Sequence, residues 1–391
     1  MNITSLNLVS DINQFSHVGI DARARAAAAG FMAAGSSGNT ARSYRSAFEY
    51  WETWLSLRYP RGLEDKPLGL PLNLGDGPLA AGVVVTFIVD HLEPPDGASW
   101  VRSLPEDVDA ALVASGVKAK LGALSYNTVR HRLAVLAKWH DIKGWPTPTD
   151  SSAVRDLLRK TRNAQARANI KVQKKTAAVR EPLEAMLATC SDGVRGIRDR
   201  ALILLAWSGG GRRRSEVVGL QVGDVRQLDA DTWVYSLGVT KTNTDGVPRE
   251  LPLRGVAAHA LAAWLAKVPD KSGPLFRRVY KGGRVGTDGL SGDQVARIVK
   301  RRAELANLKG KWAAHSLRSG FVSEAGRQGV PLGEVMAMTE HRTIATVMGY
   351  YQAGQLLESR ASMLLGSEGL SEGGEESVID RSGPQQTASE V

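Results

Sequence analysis

Five separated segments of this 391-residue chain carry side chains suited to handling a phosphate group. The first is Gly209-Gly210-Gly211-Arg212-Arg213-Arg214-Ser215-Glu216. Glycines let a backbone approach another surface closely, and guanidinium groups offer forked donors that match phosphate oxygens. Glu216 is placed to hold one of these arginines. The second, Thr240-Lys241-Thr242, ends an expected strand as it enters a turn. In the third, His315-Ser316-Leu317-Arg318, the i, i+3 spacing puts an imidazole and a guanidinium on one helical face, where they could bind and polarise a phosphate. His341 is the fourth, and Tyr350-Tyr351 the fifth. A phenol titrates near about 10 in water, so it attacks at neutral pH only with a base or a strongly cationic pocket. Each segment alone has a plainer explanation: a solvated basic face, a solubilising turn lysine, a structural His/Arg pair.

The elements that must position these groups are mostly helical. A helix is expected from Asn39, capped by Asn39 or Thr40, with Tyr44, Phe48, Trp51 and Leu55 on one face and Arg42 and Arg45 on others. An apolar helix follows around Leu79–Leu92. Ser125-Tyr126-Asn127-Thr128 opens another, with Val129, Leu133, Leu136 and Trp139 turned inward and Arg130, Arg132 and Lys138 left over. Trp145-Pro146-Thr147-Pro148 ends it, and a basic helix spans about Ser151–Ala168. Residues 164–180 are polar, basic and without apolar spacing, the pattern of a linker. Beyond it, Glu181–Leu187 and Arg198–Trp207 are expected as helices. Thr232–Val239 and Arg249–Leu253 are expected as strands around the turn Asn243-Thr244-Asp245-Gly246. Further helices run to about Leu365. The fold class is therefore mainly α with one small β-sheet in the second domain. The expected divisions are a leader at 1–38, a helical domain at 39–165, a linker at 166–180, a second domain at 181–365 and a disordered acidic tail at 366–391.

Charge narrows the partner. Formal net charge is +10; the tail from Gly366 holds six acids and one base, net −5, which leaves +15 on the rest. Such an excess suits a polyanion, because cations that neutralise phosphates release counterions. The single cysteine, Cys190, excludes an internal disulfide and a Cys-rich metal site, and its apolar context makes it a small core residue. No secretory signal and no apolar run long enough to span a membrane is present, so a cytoplasmic placement, bacterial or nucleoid-associated, is expected.

The order and spacing of the five segments, rather than any one of them, resemble the tyrosine recombinases, or phage integrases. That family carries a first arginine in a G-x-R-x-S-E-like box, a hairpin lysine, an H-x-x-R box, a second His or Trp, and a tyrosine nine residues beyond it. Here Arg213 fits the following Ser215-Glu216, Lys241 fits the lysine, His315 and Arg318 the third box, His341 the fourth, and Tyr350 lies nine residues on. Pro274-Leu275-Phe276-Arg277-Arg278-Val279, Pro148-Thr149-Asp150-Ser151-Ser152-Ala153-Val154 and Val347-Met348-Gly349-Tyr350 resemble Cre-like members in particular. The resemblance covers roughly residues 39–365.

It implies a two-domain clamp on double-stranded DNA, a helical core-binding domain joined to a catalytic domain, performing site-specific recombination. Arg213, Arg318 and His341 would stabilise charge on the phosphate, His315 would serve as base, and Lys241 would protonate the departing 5′ oxygen. Tyr350 would form a 3′-phosphotyrosine, with Glu216 in support and neither cofactor nor metal required. Arg42, Arg45, Asn127, Arg130 and Arg132 are candidate DNA contacts on the first domain. The helix from Ser291 offers Arg297, Lys300 and Arg301 on the second. Leu356, Leu357, Ala361, Leu364 and Leu365 form an apolar stripe that the resemblance assigns to a neighbouring subunit in a tetramer on two DNA sites.

Three departures stand out. Glu340 precedes His341 where the family usually has glycine, placing a negative charge beside the second imidazole. Arg212 and Arg214 flank Arg213, so the first arginine is open by one residue, and Tyr351 is a rival nucleophile. Two other functions remain: a regulator that binds DNA without cutting it, and a type IB topoisomerase.

Overall fold

The computed structural model describes residues 38–60, 74, 77–94, 102–167, 175–238 and 248–357. These fall into two compact units, divided between 172 and 173.

The first unit is helical: α1 (Gly38–Arg58), α2 (Ala81–His91), α3 (Glu106–Ala114), α4 (Tyr126–Lys143) and α5 (Ser152–Arg167). Trp51 and Leu55 are buried as their spacing predicts, but the buried face of α1 is broader and includes Tyr50 and Trp54. Both tryptophans pack on Phe87 of α2, one stacked at 3.9 Å between ring centroids and one edge-on at 5.1 Å. Ser125 caps α4 by accepting from the Thr128 amide, and Gly144 closes it at φ 67°. Val129, Leu133, Leu136 and Trp139 all face the core. α3, which carries Val108 and Leu112 into that core, was not anticipated from sequence.

The second unit begins with α6 (Arg180–Ala188), α7 (Val194–Ser208) and α8 (Arg214–Gly219). Every residue from Ala201 to Ala206 is buried. A helix apolar on all sides must be central; α7 accordingly packs against α9 (Val256–Leu265), α11 (Ala314–Arg327) and β3 (Arg249–Arg254). Cys190 is buried near its start. β1 (Val225–Gln227), β2 (Thr232–Leu237) and β3 form one antiparallel sheet in that order. The expected mainly helical fold with a small sheet is observed, and a second antiparallel pair, β4 (Arg277–Val279) with β5 (Val285–Gly289), adds to it. α10 (Gly292–Leu305), α12 (Leu332–Thr339) and α13 (Ile344–Leu357) complete the unit. No helix among the described residues is long and apolar enough to cross a membrane.

Two fits fix the elements that frame the site. Asp199 on α7, buried, accepts from Arg198 and from Arg302 of α10 at 2.6 Å each, tying α10 to the core. α13 lies so close on α11 that a Cβ at Gly326 or Gly354 would collide with the facing carbonyls of Tyr351 and Ser323.

Candidate active site

The three consecutive arginines go three ways. Arg213, the N-cap of α8, receives Glu216 twice: its backbone N–H donates to one carboxylate oxygen at 3.0 Å and its guanidinium to the other at 2.6 Å. Arg214 points outward and pairs with Asp293 at the start of α10 at 2.8 Å. Arg212 turns inward. Its guanidinium is fully buried, donates to Glu340 at 3.0 Å, to the Gly210 carbonyl at 3.1 Å and to the Met338 carbonyl, and lies 3.8 Å from Glu216.

This arrangement depends on the glycines before it. Gly210 and Gly211 take φ of 94° and 64°, the left-handed region that disfavours a side chain. A Cβ at Gly211 would stand 2.9 Å from the Arg318 Cα. The tight turn lets Arg318 of α11 donate to the Gly211 carbonyl at 2.7 Å and to the Thr339 carbonyl at 2.8 Å.

Arg318 also donates to His341 Nε2 at 2.9 Å, while His341 Nδ1 lies 2.6 Å from Thr339 Oγ1. A guanidinium has only donors, so Nε2 accepts and the proton sits on Nδ1. Burial and the charges of Arg318, Arg213, Arg212 and His315 push the His341 pKa down to about 4. His315, one helical turn before Arg318, is pushed down by burial, then by Arg318 and Arg213. Arg318 itself is pushed down by burial, Arg213 and Arg212, against Glu216 and Glu340. Arg214 is exposed and is held instead by Asp293.

The two tyrosines of α13 are in different surroundings. Tyr350 Oη is 3.3 Å from His315 Nε2. Tyr351 is buried in the core between α11 and α13 and donates to the Val330 carbonyl at 2.5 Å. The Tyr350 carbonyl accepts from Ser323 Oγ at 3.1 Å, fastening the backbone behind the phenol.

The structure thus brings Arg213, Glu216, His315, Arg318, His341 and Tyr350 together. Lys241 lies outside the described residues, as do Ala361, Leu364, Leu365 and the side chains of Leu356 and Leu357. Among the candidate DNA contacts, Arg42, Arg45, Asn127 and Arg130 are exposed on the first unit, and Arg297, Lys300 and Arg301 on α10. Arg132 is a correction: it is buried, its guanidinium stacked 3.2 Å from the Tyr50 ring centroid, because packing between α1 and α4 claims it. The Glu340 expectation also changes. Its carboxylate is turned into Arg212 at 3.0 Å, with Arg249 3.9 Å from its other oxygen.

Residues 179–355 match the model of the Phage integrase family. That family is the tyrosine recombinases, and the match spans most of the second unit. It is 27% identical over 244 residues to the integrase/recombinase xerD homolog of Selenomonas ruminantium, covering 60% of this chain and 71% of that protein. It is 26% identical over 269 residues to the recombinase cre of Escherichia phage P1, covering 64% and 76%. Among solved structures it is similar to the XerH site-specific recombinase bound to palindromic difH substrate in a post-cleavage complex. That match has a TM-score of 0.54 at 15% identity and covers 93% of this chain and 96% of that one. A lambda integrase dimer bound to a COC′ core site matches with a TM-score of 0.50 at 14% identity, covering 90% and 96%. At these identities the structures speak for the fold. The tyrosine recombinases are DNA breaking-rejoining enzymes, and this one is a site-specific recombinase.

Proposed function

We propose that this recombinase cuts double-stranded DNA with Tyr350. The observation that carries the reading is the approach of Tyr350 Oη to His315 Nε2 beside Arg318, Arg213 and His341, from segments far apart in sequence. The phenol oxygen attacks phosphorus and passes its proton to His315, which its lowered pKa keeps neutral and able to accept. The bond to the 5′ oxygen breaks, and Lys241 supplies the proton that leaves it as a hydroxyl. The product is a 3′-phosphotyrosine, which a 5′-hydroxyl of a partner duplex reverses.

Negative charge that grows on the non-bridging oxygens meets Arg213 and Arg318, already held by Glu216 and by backbone carbonyls, so little reorganisation is needed. Once a phosphate oxygen replaces it at Arg318, His341 carries its proton on Nε2 instead of Nδ1 and joins as a hydrogen-bond donor. Residues 39–165 form the core-binding domain, 166–180 the linker and 181–365 the catalytic domain. Arg42, Arg45, Asn127 and Arg130, with Arg297, Lys300 and Arg301, contact DNA, and four copies assemble on two sites.

The test uses a nicked suicide duplex carrying the recombination site. Tyr350→Phe should bind the duplex as the parent does and form no covalent adduct. An adduct that persists in Tyr350→Phe and is lost in Tyr351→Phe would reject Tyr350.

A further inference from the structure

Arg212 and Glu340 are 128 positions apart, and both side chains are almost wholly buried, at 0% and 2% exposure. Their neighbours are the residues that handle the phosphate. Arg212 immediately precedes Arg213, and Glu340 immediately precedes His341. The Arg212 guanidinium stands between two carboxylates, 3.0 Å from Glu340 and 3.8 Å from Glu216, and Glu216 in turn holds Arg213 at 2.6 Å. It also fastens the turn carbonyl of Gly210 to that of Met338 at the end of α12.

Glu340 is itself an unfavourable choice for its backbone. It takes φ 55° and ψ 38°, the left-handed region where glycine is the comfortable residue. A side chain kept there against that preference has a use. A buried ion pair adds little net stability, whereas removing one partner strands the other charge. The pair therefore serves arrangement better than stability.

We propose that Arg212 and Glu340 are a matched pair of positioning residues that sets the distance between Arg213 and His341, in place of a glycine at 340. This rests on the reading of the site given above. Neither residue touches the phosphate; each acts through its neighbour in the chain.

Four proteins test it: the parent, Arg212→Leu, Glu340→Gly and the double variant, each assayed for adduct formation, duplex affinity and melting. Glu340→Gly relieves the backbone, so any loss it causes comes from the missing carboxylate, which holds Arg212 at 3.0 Å and lies 3.9 Å from Arg249. Each single change should slow adduct formation roughly tenfold while affinity stays within about twofold, and the double variant should recover to within about threefold of the parent. A second substrate, with a neutral methylphosphonate at the scissile position, separates placement from general damage. Misplaced arginines matter less when that group carries no charge, so the deficit of the single variants should shrink on it. Single variants that cut like the parent, effects that simply multiply in the double variant, or a deficit unchanged on the methylphosphonate would each overturn the pairing. An adduct persisting in Tyr350→Phe would instead reject the nucleophile. It would leave the comparison among the four proteins intact.

Discussion

His315 Nε2 lies 3.3 Å from the Tyr350 hydroxyl, while the hydroxyl of the very next residue, Tyr351, is bonded to the Val330 carbonyl. Adjacent positions on a helix point about 100° apart, so one phenol can face the cationic cluster only if the other faces the core. Tyr351→Phe should therefore still form the covalent adduct. It should lose about 1 kcal/mol of stability from the missing buried hydrogen bond. Chemical denaturation together with suicide-substrate trapping checks both; loss of the adduct without loss of fold would contradict the division.

Gly211 is the point at which backbone shape and catalysis meet. Alanine there would combine a φ of 64° with a Cβ 2.9 Å from the Arg318 backbone. Gly329 has a similar φ of 69° but open space around it. Gly329→Ala should cost about 1 kcal/mol, the conformational term alone, and Gly211→Ala roughly 2–4 kcal/mol with a fall in cutting rate. Equal costs at the two positions would show that the contact with Arg318 is unimportant.

Four histidines are held toward the neutral form. Burial is the largest cause for each, lowering His91 to about 3, His341 to about 4, and His140 and His315 in the same direction. In the unfolded chain they take up protons near pH 6.5, before the folded protein does. Stability contributed by the neutral forms is whole above about pH 6.5 and drains away as pH falls toward 4. For His91, packed edge-on against Tyr50 and Trp54 and tilted on Phe87, the loss approaches about 1.4 kcal/mol for each pH unit across its window. Thermal melts through that range should show the decline, and His91→Phe should flatten it. A melting point insensitive to acid in the parent would refute the assignment.

Arg132 and Arg130 provide opposite expectations two residues apart. Arg132 packs on Tyr50, and burial there drives the phenol up to about 12. Arg132→Ala should lose about 2–3 kcal/mol of stability and leave duplex affinity nearly unchanged. Arg130→Ala should melt as the parent does, weaken binding and reduce the salt dependence by roughly one ion. Urea titrations paired with DNA titrations at several salt concentrations distinguish them; exchanged phenotypes would reverse the assignment.

What could be read from sequence was whatever repeats locally. The inward stripe of α4, its opening at Ser125–Thr128 and the helix through the apolar run of α7 are short-range patterns, and each appears where its spacing placed it. The candidate site was legible as a set because the family resemblance fixes distances along the chain, such as nine residues from His341 to Tyr350, and the structure gathers that set except Lys241, which lies outside the described residues. Periodicity alone put Arg132 on an outer face, and only the aromatic packing of α1 against α4 draws it in. The pair β4–β5 contains three and five residues, too few to show alternation, and exists through contacts across a turn. Arg212 and Glu340 looked like two separate oddities, since nothing local announces a partner 128 residues away.

The close fit of α13 on α11 has a bearing on how cuts are counted in an assembly. His315 and Arg318 ride on one of these helices and Tyr350 on the other, with Gly326 and Gly354 leaving no room for a side chain between them. The blade and its anvil are thus forged from the same strand of protein. On the proposed reading the tyrosine and the imidazole that serves it are set against each other within one chain, so in a mixed complex a copy lacking its own Tyr350 should leave its phosphodiester uncut.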